Sequence, residues 1–206
     1  MKPIYLICGI VISISCSNST QNQAKQESKP NQDENGTLIE RQNPDSNAWE
    51  KSFREFSNAI LENDRERVKS FFDFPIRSKG NEIWFLADSK FVMEMNSTDI
   101  VPFTEADFDE YYHSIFSTDF IKTLQKLSLE EFFLNKKASS PEIEVVKDSK
   151  SKLFASYNNT LKKLTLTLSA IIKTKGEHDT GFSVFYEFDL LKDQKFKFKQ
   201  VKVDMP

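Results

Sequence analysis

Cysteine, glycine, tryptophan and long apolar runs are all scarce in this chain of 206 residues. Its only cysteines are Cys8 and Cys16, so the chain beyond residue 16 is stabilised by a packed core and not by disulfides. The longest apolar run, residues 4–15, has about half of the ~20 residues that a membrane-spanning helix needs, which disfavours a transmembrane anchor. The formal net charge of -3 leaves no dominant basic face, so the composition gives no support to nucleic-acid binding.

The first residues have the features of an export signal. Lys2 precedes the apolar run 4–15, and a polar stretch, 17–23, follows it directly. The small residue Ser15 and then Cys16 stand at the expected cleavage point, which resembles the signal of bacterial lipoproteins, although Ser13 occupies a place where Leu is usual. The resemblance implies that Cys16 is lipidated, so that the protein is exported and anchored in the cell envelope, with the outer membrane as the expected site. The alternative is an ordinary cleaved signal with an incidental cysteine.

The segment 17–45 is rich in Gln, Asn, Ser, Lys and Glu, and Leu38-Ile39 is its only aliphatic pair. Such a composition buries too little apolar area to offset the entropy of ordering, so we expect a flexible tether. Residues 46–206 then form a single domain. Phenylalanine is abundant in the chain, with 19 copies against 2 Trp and 5 Tyr, which predicts a bulky core or an apolar pocket because Phe needs no hydrogen-bond partner.

Helical spacing of apolar residues dominates the first half of this domain. Trp49, Phe53, Phe56 and Ile60 predict one amphipathic helix. The pair Asn63 and Glu66 suggests a capping box for a short second helix that buries Val68, Phe71 and Phe72, and Pro75 ends it. Further helices are expected after Thr104 and after Ser128, and two strand-like pieces, 83–86 and 90–93, are expected before them.

The period changes from about 3.6 to 2 after Pro141. Apolar residues alternate with polar ones over 163–173, 182–190 and 195–203, and a slip of phase predicts a bulge near Lys199-Gln200. An earlier strand through either 143–145 or 153–157 completes the set. The predicted fold class is therefore α+β, with N-terminal helices packed on a curved four-stranded antiparallel sheet.

This element order, with Phe71-Phe72-Asp73-Phe74-Pro75-Ile76 closing the second helix, resembles the NTF2-like (cystatin-like) cone fold of exported bacterial proteins. The resemblance implies a sheet wrapped around a long helix, a pocket at the open end of the cone and frequent homodimerisation through the sheet. It implies no single activity, since the superfamily includes isomerases, dehydratases and binding domains.

In such a cone the predicted pocket residues are Trp84, Tyr111, His113 and Phe116. His113 with Asp99 or Asp119 could form an acid–base pair, whereas the alternative is an exposed histidine beside tyrosines that pack at the edge of the core. Trp84 and the adjacent Phe85 are equally compatible with ordinary core packing.

Other charged groups favour structural interpretations. Glu177-His178-Asp179 lies in a glycine-flanked hairpin loop, which favours a solvated turn over a metal site. Asp107, Asp109 and Glu110 lie in the first turns of a predicted helix, where carboxylates complement the helix dipole, and they lack the glycine of a calcium loop. Four lysines alternate with phenylalanines as the solvent face of a strand, or alternatively form a basic patch for anionic lipid or glycan: Lys195, Lys197, Lys199 and Lys202.

These observations predict a membrane-tethered lipoprotein whose single domain is a non-enzymatic binding module. Its expected partners are a small apolar ligand or a protein, including a second copy of the chain, and it requires no cofactor and no nucleic acid. The alternatives are a cofactor-independent isomerase or lyase that uses His113 with a nearby Asp, and a purely structural envelope protein.

Overall fold

Helices precede strands along the chain in the computed structural model, which describes residues 48–78, 80–94, 99–146, 149–172 and 180–205. The described residues belong to one compact unit, 42–206. The helices are α1 (Ala48–Leu61), α2 (Arg65–Lys69), α3 (Glu82–Ala87), α4 (Ser89–Glu94), α5 (Glu105–Ile115), α6 (Thr118–Gln125) and α7 (Leu129–Asn135). The strands are β1 (Lys137–Ser139), β2 (Ile143–Val146), β3 (Ser149–Asn158), β4 (Lys163–Ile172), β5 (Thr180–Leu190) and β6 (Phe196–Asp204). Among the described helices, none combines the length and the apolar character needed to cross a bilayer.

The first helix forms as predicted, and the second begins one residue later than expected. The four apolar residues of the α1 stripe are all buried: Trp49, Phe53, Phe56 and Ile60. The N-cap of α2 is Asp64, whose carboxylate accepts a hydrogen bond from the Arg67 backbone N–H at 3.0 Å. The predicted capping box from Asn63 is therefore wrong, because Asn63 has a positive φ of 54° and terminates the turn after α1.

The two predicted strands at 83–86 and 90–93 are also wrong, since both segments are helical in α3 and α4. The buried residues of α3 are Ile83, Trp84 and Ala87, which share one helical face. Asn81, just before α3, fixes this helix to the following loop by accepting from the Val101 N–H at 3.1 Å and donating to the Asp99 carbonyl at 2.6 Å. A short apolar run fits either element by its pattern, and here the tertiary contacts of Asn81 favour the helix.

Three side chains cap the later helices. Thr104 and Asp107 form a reciprocal capping box at the start of α5, so the predicted start after Thr104 is confirmed. Ser117 accepts from the Phe120 N–H at α6, and Ser128 accepts from the Glu131 N–H at α7. These caps divide the apolar sequence between residues 103 and 134 into three helices that pack against the same sheet.

The sheet is open and antiparallel, with strand order β1-β3-β4-β5-β6 and with β2 also paired to β3. The prediction of four long strands corresponds to β3–β6, but the described residues form a sheet of six strands because two short ones, β1 and β2, pair with β3. The predicted bulge is confirmed: Glu187 pairs with Gln200 and Phe188 pairs with Phe198 in the backbone register, so Lys199 is the extra residue of the bulge.

Helices cover one face of this sheet, and aromatic side chains fill the space between the two layers. The rings of Phe56 and Phe188 meet edge to face at 4.8 Å between centroids, and Trp49 stacks on Tyr157 at 4.4 Å. The Tyr186 hydroxyl crosses the layer and donates to the Ile115 carbonyl at 2.6 Å. These contacts place the abundant phenylalanines in a continuous core.

Candidate functional site

The four predicted pocket residues do not converge. Trp84 and Tyr111 are in contact, edge to face, with 5.9 Å between ring centroids. Phe116 lies at the centre of the core with 0% of its surface exposed and packs on Tyr186 at 5.9 Å between centroids. His113 is exposed on α5, on the outer side of the helix layer. The structure therefore brings together only two of the four residues.

His113 interacts with a cation and not with an acid. Its Nε2 atom lies 3.1 Å from Nη2 of Arg65, and because a guanidinium can only donate, the ring nitrogen is the acceptor of this hydrogen bond. Arg65 also donates to the Asp109 carbonyl at 2.9 Å, and its guanidinium lies 5.0 Å from the ring centroid of Tyr112. Burial raises the pKa of Tyr112 to about 12, although the Arg65 charge acts in the opposite direction.

Neither of the two aspartates proposed as partners of His113 contacts it. The Asp119 carboxylate accepts a hydrogen bond from the Ser151 hydroxyl, and Asp99 takes part in the Asn81 contact through its backbone. Within the described ranges, no carboxylate forms an ion pair or hydrogen bond with His113. The arrangement therefore offers no acid–base pair at this position.

Two acidic residues of α5 make contacts that stabilise the fold. Asp107 is part of the capping box, and Asp109 pairs with the ammonium group of Lys69 at 2.9 Å. Lys69 also contacts Glu66 at 2.7 Å and Glu105 at 3.3 Å, and hydrogen bonding, first of all to Glu66, raises the pKa of Lys69. In the part of the chain that the structure describes, no group of three or more His, Cys, Asp or Glu side chains could hold a metal ion. Glu177-His178-Asp179 and Cys16 lie outside the described residues.

The face of the sheet that points away from the described helices is called here the uncovered face, and its residues include Lys152, Phe154, Thr165, Thr167, Phe185 and Glu187. The lysines near the C-terminus lie on or beside it. Lys197 pairs with Asp73 at 2.8 Å, and Lys199 pairs with Asp189 at 2.8 Å. Lys202 lies 3.3 Å from Glu187 on the neighbouring strand. The contacts of Lys199 and Lys202 join β6 to β5 and are typical of the solvent face of a strand, where opposite charges on adjacent strands stabilise the register. The contact of Lys197 instead joins β6 to the segment after α2.

Glu187 is the centre of the most extensive polar network on that face. Its carboxylate accepts from Lys163 at 3.2 Å, from Gln200 at 2.7 Å and from Lys202 at 3.3 Å. Burial alone would raise the pKa of the Glu187 carboxyl group, but these three hydrogen bonds outweigh it and hold the pKa below its usual value. The network joins β4, β5 and β6.

The uncovered face also carries aromatic residues that sequence reasoning missed. Phe154 and Phe185 belong to one cross-strand row, in which Phe154 pairs with Thr167, Thr167 with Phe185, and Phe185 with Lys202. Phe154 is 43% exposed, and the Lys152 ammonium group lies 5.1 Å from the centroid of its ring. A signal was present in the sequence, because Phe185 occupies a position that the alternation of β5 assigns to the polar face.

Three depressions on the described surface are shallow and lie away from the predicted pocket. One, of about 220 Å³, opens between the ends of β4, β5 and β6 and is lined by Ser169, Ile171, Gly181, Ser183 and Asp204, among others. The other two, of about 230 Å³ and about 140 Å³, adjoin Ala48 and the turn between β5 and β6. These volumes are below the ~300–1,000 Å³ of typical small-molecule pockets.

No protein-family model, no curated protein and no solved structure matches this chain.

Proposed function

We propose that this chain is an exported lipoprotein, tethered to the envelope membrane through Cys16, whose domain is a non-enzymatic binding module that works by protein contact. Its first partner is a second copy of the chain, bound through the uncovered face of the sheet. The observation that carries the proposal is the pair of phenylalanines on that face, Phe154 and Phe185, at outward positions that are mostly polar elsewhere in β3–β6.

The tether rests on the sequence at the N-terminus. The charge of Lys2, the apolar run 4–15 and Ser15 before Cys16 support export followed by lipidation. Several acyl chains together hold a protein firmly, whereas a single chain holds it only marginally. The mass of the full-length chain purified from its host tests this part, because acylation at Cys16 adds a discrete increment.

Packing between helices and sheet supports protein contact over capture of a small ligand. The largest side chains between the layers have almost no exposed surface, as Phe53, Phe116 and Phe188 illustrate with 0% each. An apolar ligand would have to displace them, at a cost comparable to creating a core cavity. The exposed position of His113 and its bond to Arg65 likewise give no support to an isomerase or lyase.

The uncovered face has the size of a modest interface. Four strands of nine to eleven residues, β3–β6, form it. At about 4.8 Å between strands and about 3.3 Å per residue, it covers roughly 600 Å², close to the ~800 Å² that each partner buries in a standard protein interface. Aligned packing of two such faces is a common arrangement of sheets.

Charges at the two edges of the face suit a symmetric dimer. Lys152 on β3, Ser169 on β4, Ser183 on β5 and Asp204 on β6 form one cross-strand row. If a two-fold axis runs parallel to the strands, β3 of one copy faces β6 of the other, and Lys152 of each copy faces Asp204 of the other copy. The dimer therefore contains two such contacts, related by the axis. In the next row Phe154 faces Lys202 of the second copy, which is favourable for a cation near an aromatic ring.

We also propose that the helix-then-sheet order is a variant of the NTF2-like cone. The order of elements and the four long strands support this, whereas α3 and α4 replace the short strand expected in that fold. Dimerisation through the sheet would be consistent with the same relationship.

A charge exchange tests the proposed dimer. Sedimentation equilibrium of the domain 42–206 should show dimers, and Lys152→Asp should weaken dimerisation about tenfold because two like-charged contacts replace two attractive ones. Adding Asp204→Lys to the same chain should restore dimerisation, because both contacts between positions 152 and 204 are then again between opposite charges, with the signs exchanged. The matched control, Lys122→Asp on α6, makes the same change of charge on the helix side and should leave dimerisation unchanged.

Two results would contradict the dimer. One is a domain that stays monomeric at every concentration, and the other is a double variant that dimerises no better than Lys152→Asp alone.

A further inference from the structure

Four segments that are distant in sequence meet at one end of the domain, which we call the entry end: Ala48, residues 134–136, the turn 159–162 and the turn 191–195. The Leu190 N–H donates to the Lys162 carbonyl at 2.7 Å, which joins the two turns. Ala48 lines one depression together with Lys162 and Leu191. The Tyr157 N–H donates to the Lys136 carbonyl at 2.9 Å, so the end of α7 lies beside the same strand end.

Three leucines at the entry end are exposed to solvent. Leu134 is 81% exposed, Leu161 is 66% exposed and Leu191 is 44% exposed. They lie on three separate segments, so no single irregular loop accounts for them. Exposed aliphatic side chains that converge on one end of a soluble domain are typical of a surface that contacts a partner or a membrane.

The entry end is also basic. It carries four lysines, Lys136, Lys162, Lys192 and Lys195, and one acid, Asp193. None of these four ammonium groups forms an ion pair with a residue in the described ranges, whereas Lys197, Lys199 and Lys202 of the uncovered face are all paired. The Asp193 carboxylate accepts from the Lys195 backbone N–H at 3.2 Å, which closes the turn.

Two of these lysines occupy a backbone conformation that favours glycine. Lys136 has a φ of 56° and Lys162 has a φ of 50°, both in the left-handed region. Glycine or asparagine would adopt it at lower cost. A positive charge at Lys136 complements the C-terminal end of α7, whereas Lys162 lies in a turn between two strands and has no such helix end beside it. Retaining a positive charge at both sites is consistent with a requirement for that charge on the surface.

The described chain begins at this end, with Ala48, and residues 17–47 connect it to Cys16. A domain anchored through Cys16 therefore has its point of attachment on the same side as the exposed leucines and the unpaired lysines. Leucine side chains that enter the headgroup region, together with lysines that face anionic phosphates, are the two contributions that hold interfacial proteins on bilayers.

We propose that the entry end docks on a membrane surface rich in anionic lipid headgroups, with Leu134, Leu161 and Leu191 inserted and with the four lysines facing the phosphates. The proposal rests on the membrane tether for proximity, but the contact itself is a property of the domain. Docking would hold the uncovered face of the sheet away from the bilayer and in a fixed orientation.

Vesicle cosedimentation of the domain 42–206 tests this contact without the anchor, because that unit includes every described contact. The probes are phosphatidylcholine vesicles with and without phosphatidylglycerol. We expect the domain to bind the anionic vesicles preferentially. The variant Lys136→Gly/Lys162→Gly should reduce that partition about 25-fold, because each lysine near an anionic surface contributes about fivefold.

The same double variant should remain as stable as the original domain, since glycine adopts a positive φ without strain. Leu161→Ser should reduce the partition about tenfold through the loss of apolar insertion. The matched control Lys90→Gln/Lys122→Gln removes two exposed lysines of other segments, and it should change the partition less than about twofold.

Three outcomes would overturn the proposal. The first is the absence of vesicle binding, and the second is an equal loss in the control variant, which would reflect net charge alone. The third is self-association without vesicles that Leu134→Ser abolishes, which would make this end a protein interface. Acylation at Cys16 is measured on the full-length chain, so a failure of docking and a failure of the proposed tether remain distinguishable.

Discussion

The two faces of the sheet come from the same strands and differ in almost every respect. On the face that packs against the helices, β4 and β5 contribute large apolar residues, such as Leu166 and Phe188, that are 0% exposed. On the other face the same strands contribute Thr165, Thr167 and Ser183, together with the ion pair of Lys163 and Glu187. The side chains of the first face stabilise the fold by burial of apolar surface. Few side chains of the second face pack in the core, so they are available to bind a partner.

The exceptions on the second face are therefore informative. Phe154, Phe185 and Ile171 are apolar residues at outward positions, and Phe154 and Ile171 are each more than 40% exposed. Removing an apolar residue from the covered face should reduce stability, and removing an apolar residue from the uncovered face should reduce binding instead. The predictions below test this division, beginning with the largest effect.

Phe116→Ala should lower the free energy of unfolding by about 3–5 kcal/mol, because the ring is fully buried and its loss leaves a cavity. Urea denaturation followed by circular dichroism measures this change. A loss of unfolding free energy below about 1 kcal/mol would show that Phe116 borders open space, and it would support the predicted pocket between the helices and the sheet.

The buried tyrosines Tyr186 and Tyr112 provide a matched pair on the covered face. Tyr186→Phe should cost about 1–2 kcal/mol, because the Ile115 carbonyl loses its hydrogen bond from the Tyr186 hydroxyl. Tyr112→Phe should be neutral or slightly stabilising, since the Tyr112 hydroxyl is buried and has no hydrogen-bond partner among the described residues. Equal costs in the two variants would contradict this assignment of the two hydroxyl groups.

The Glu187 network should make the stability of the domain depend on pH. Because the folded-state pKa of Glu187 is below its usual value of 4.5, its stabilisation is complete above that value and is lost as the pH falls through the folded-state pKa. Glu187→Gln should therefore cost about 1–2 kcal/mol at neutral pH and progressively less in acid. Denaturation of both proteins across a range of pH measures the difference, and a constant difference would contradict the role of the charge.

Phe154→Ser should change the free energy of unfolding by less than about 0.5 kcal/mol, because the ring is partly exposed and outside the core. The same change should weaken dimerisation of the domain about tenfold, since the ring is expected to face Lys202 of the second copy in both halves of the dimer. Phe132→Ser is the matched control, because Phe132 is fully buried and its loss should reduce stability by several-fold more. A large loss of stability in Phe154→Ser would place the residue in the core.

Periodicity was sufficient to predict the layers of the fold. The stripe of α1, the caps at Thr104 and Ser128, the alternation in β4–β6 and the bulge at Lys199 all follow from local pattern. These features are local because each depends on residues within a few positions of one another. The helices α3 and α4 could not be predicted from local pattern, because Asn81 fixes α3 through contacts with residues about twenty positions away.

The candidate site was less predictable than the fold. The predicted pocket of Trp84, Tyr111, His113 and Phe116 depends on an open cone, and the space left between the helices and the sheet depends on tertiary packing that residue spacing does not report. Phe116 turned inward with the aromatic core, whereas His113 turned outward toward Arg65. The outward phenylalanine Phe185 was readable from alternation alone, because it interrupts the polar positions of β5.

Native mass spectrometry of the domain 42–206, purified gently from its own host, tests the central claim most directly, because it reports both bound ligand and oligomeric state. The filled core and the uncovered sheet face predict the mass of two chains and nothing more. A single chain with an additional mass that disappears on denaturation would contradict both parts, since it would show a ligand site in the interior and no partner on the sheet.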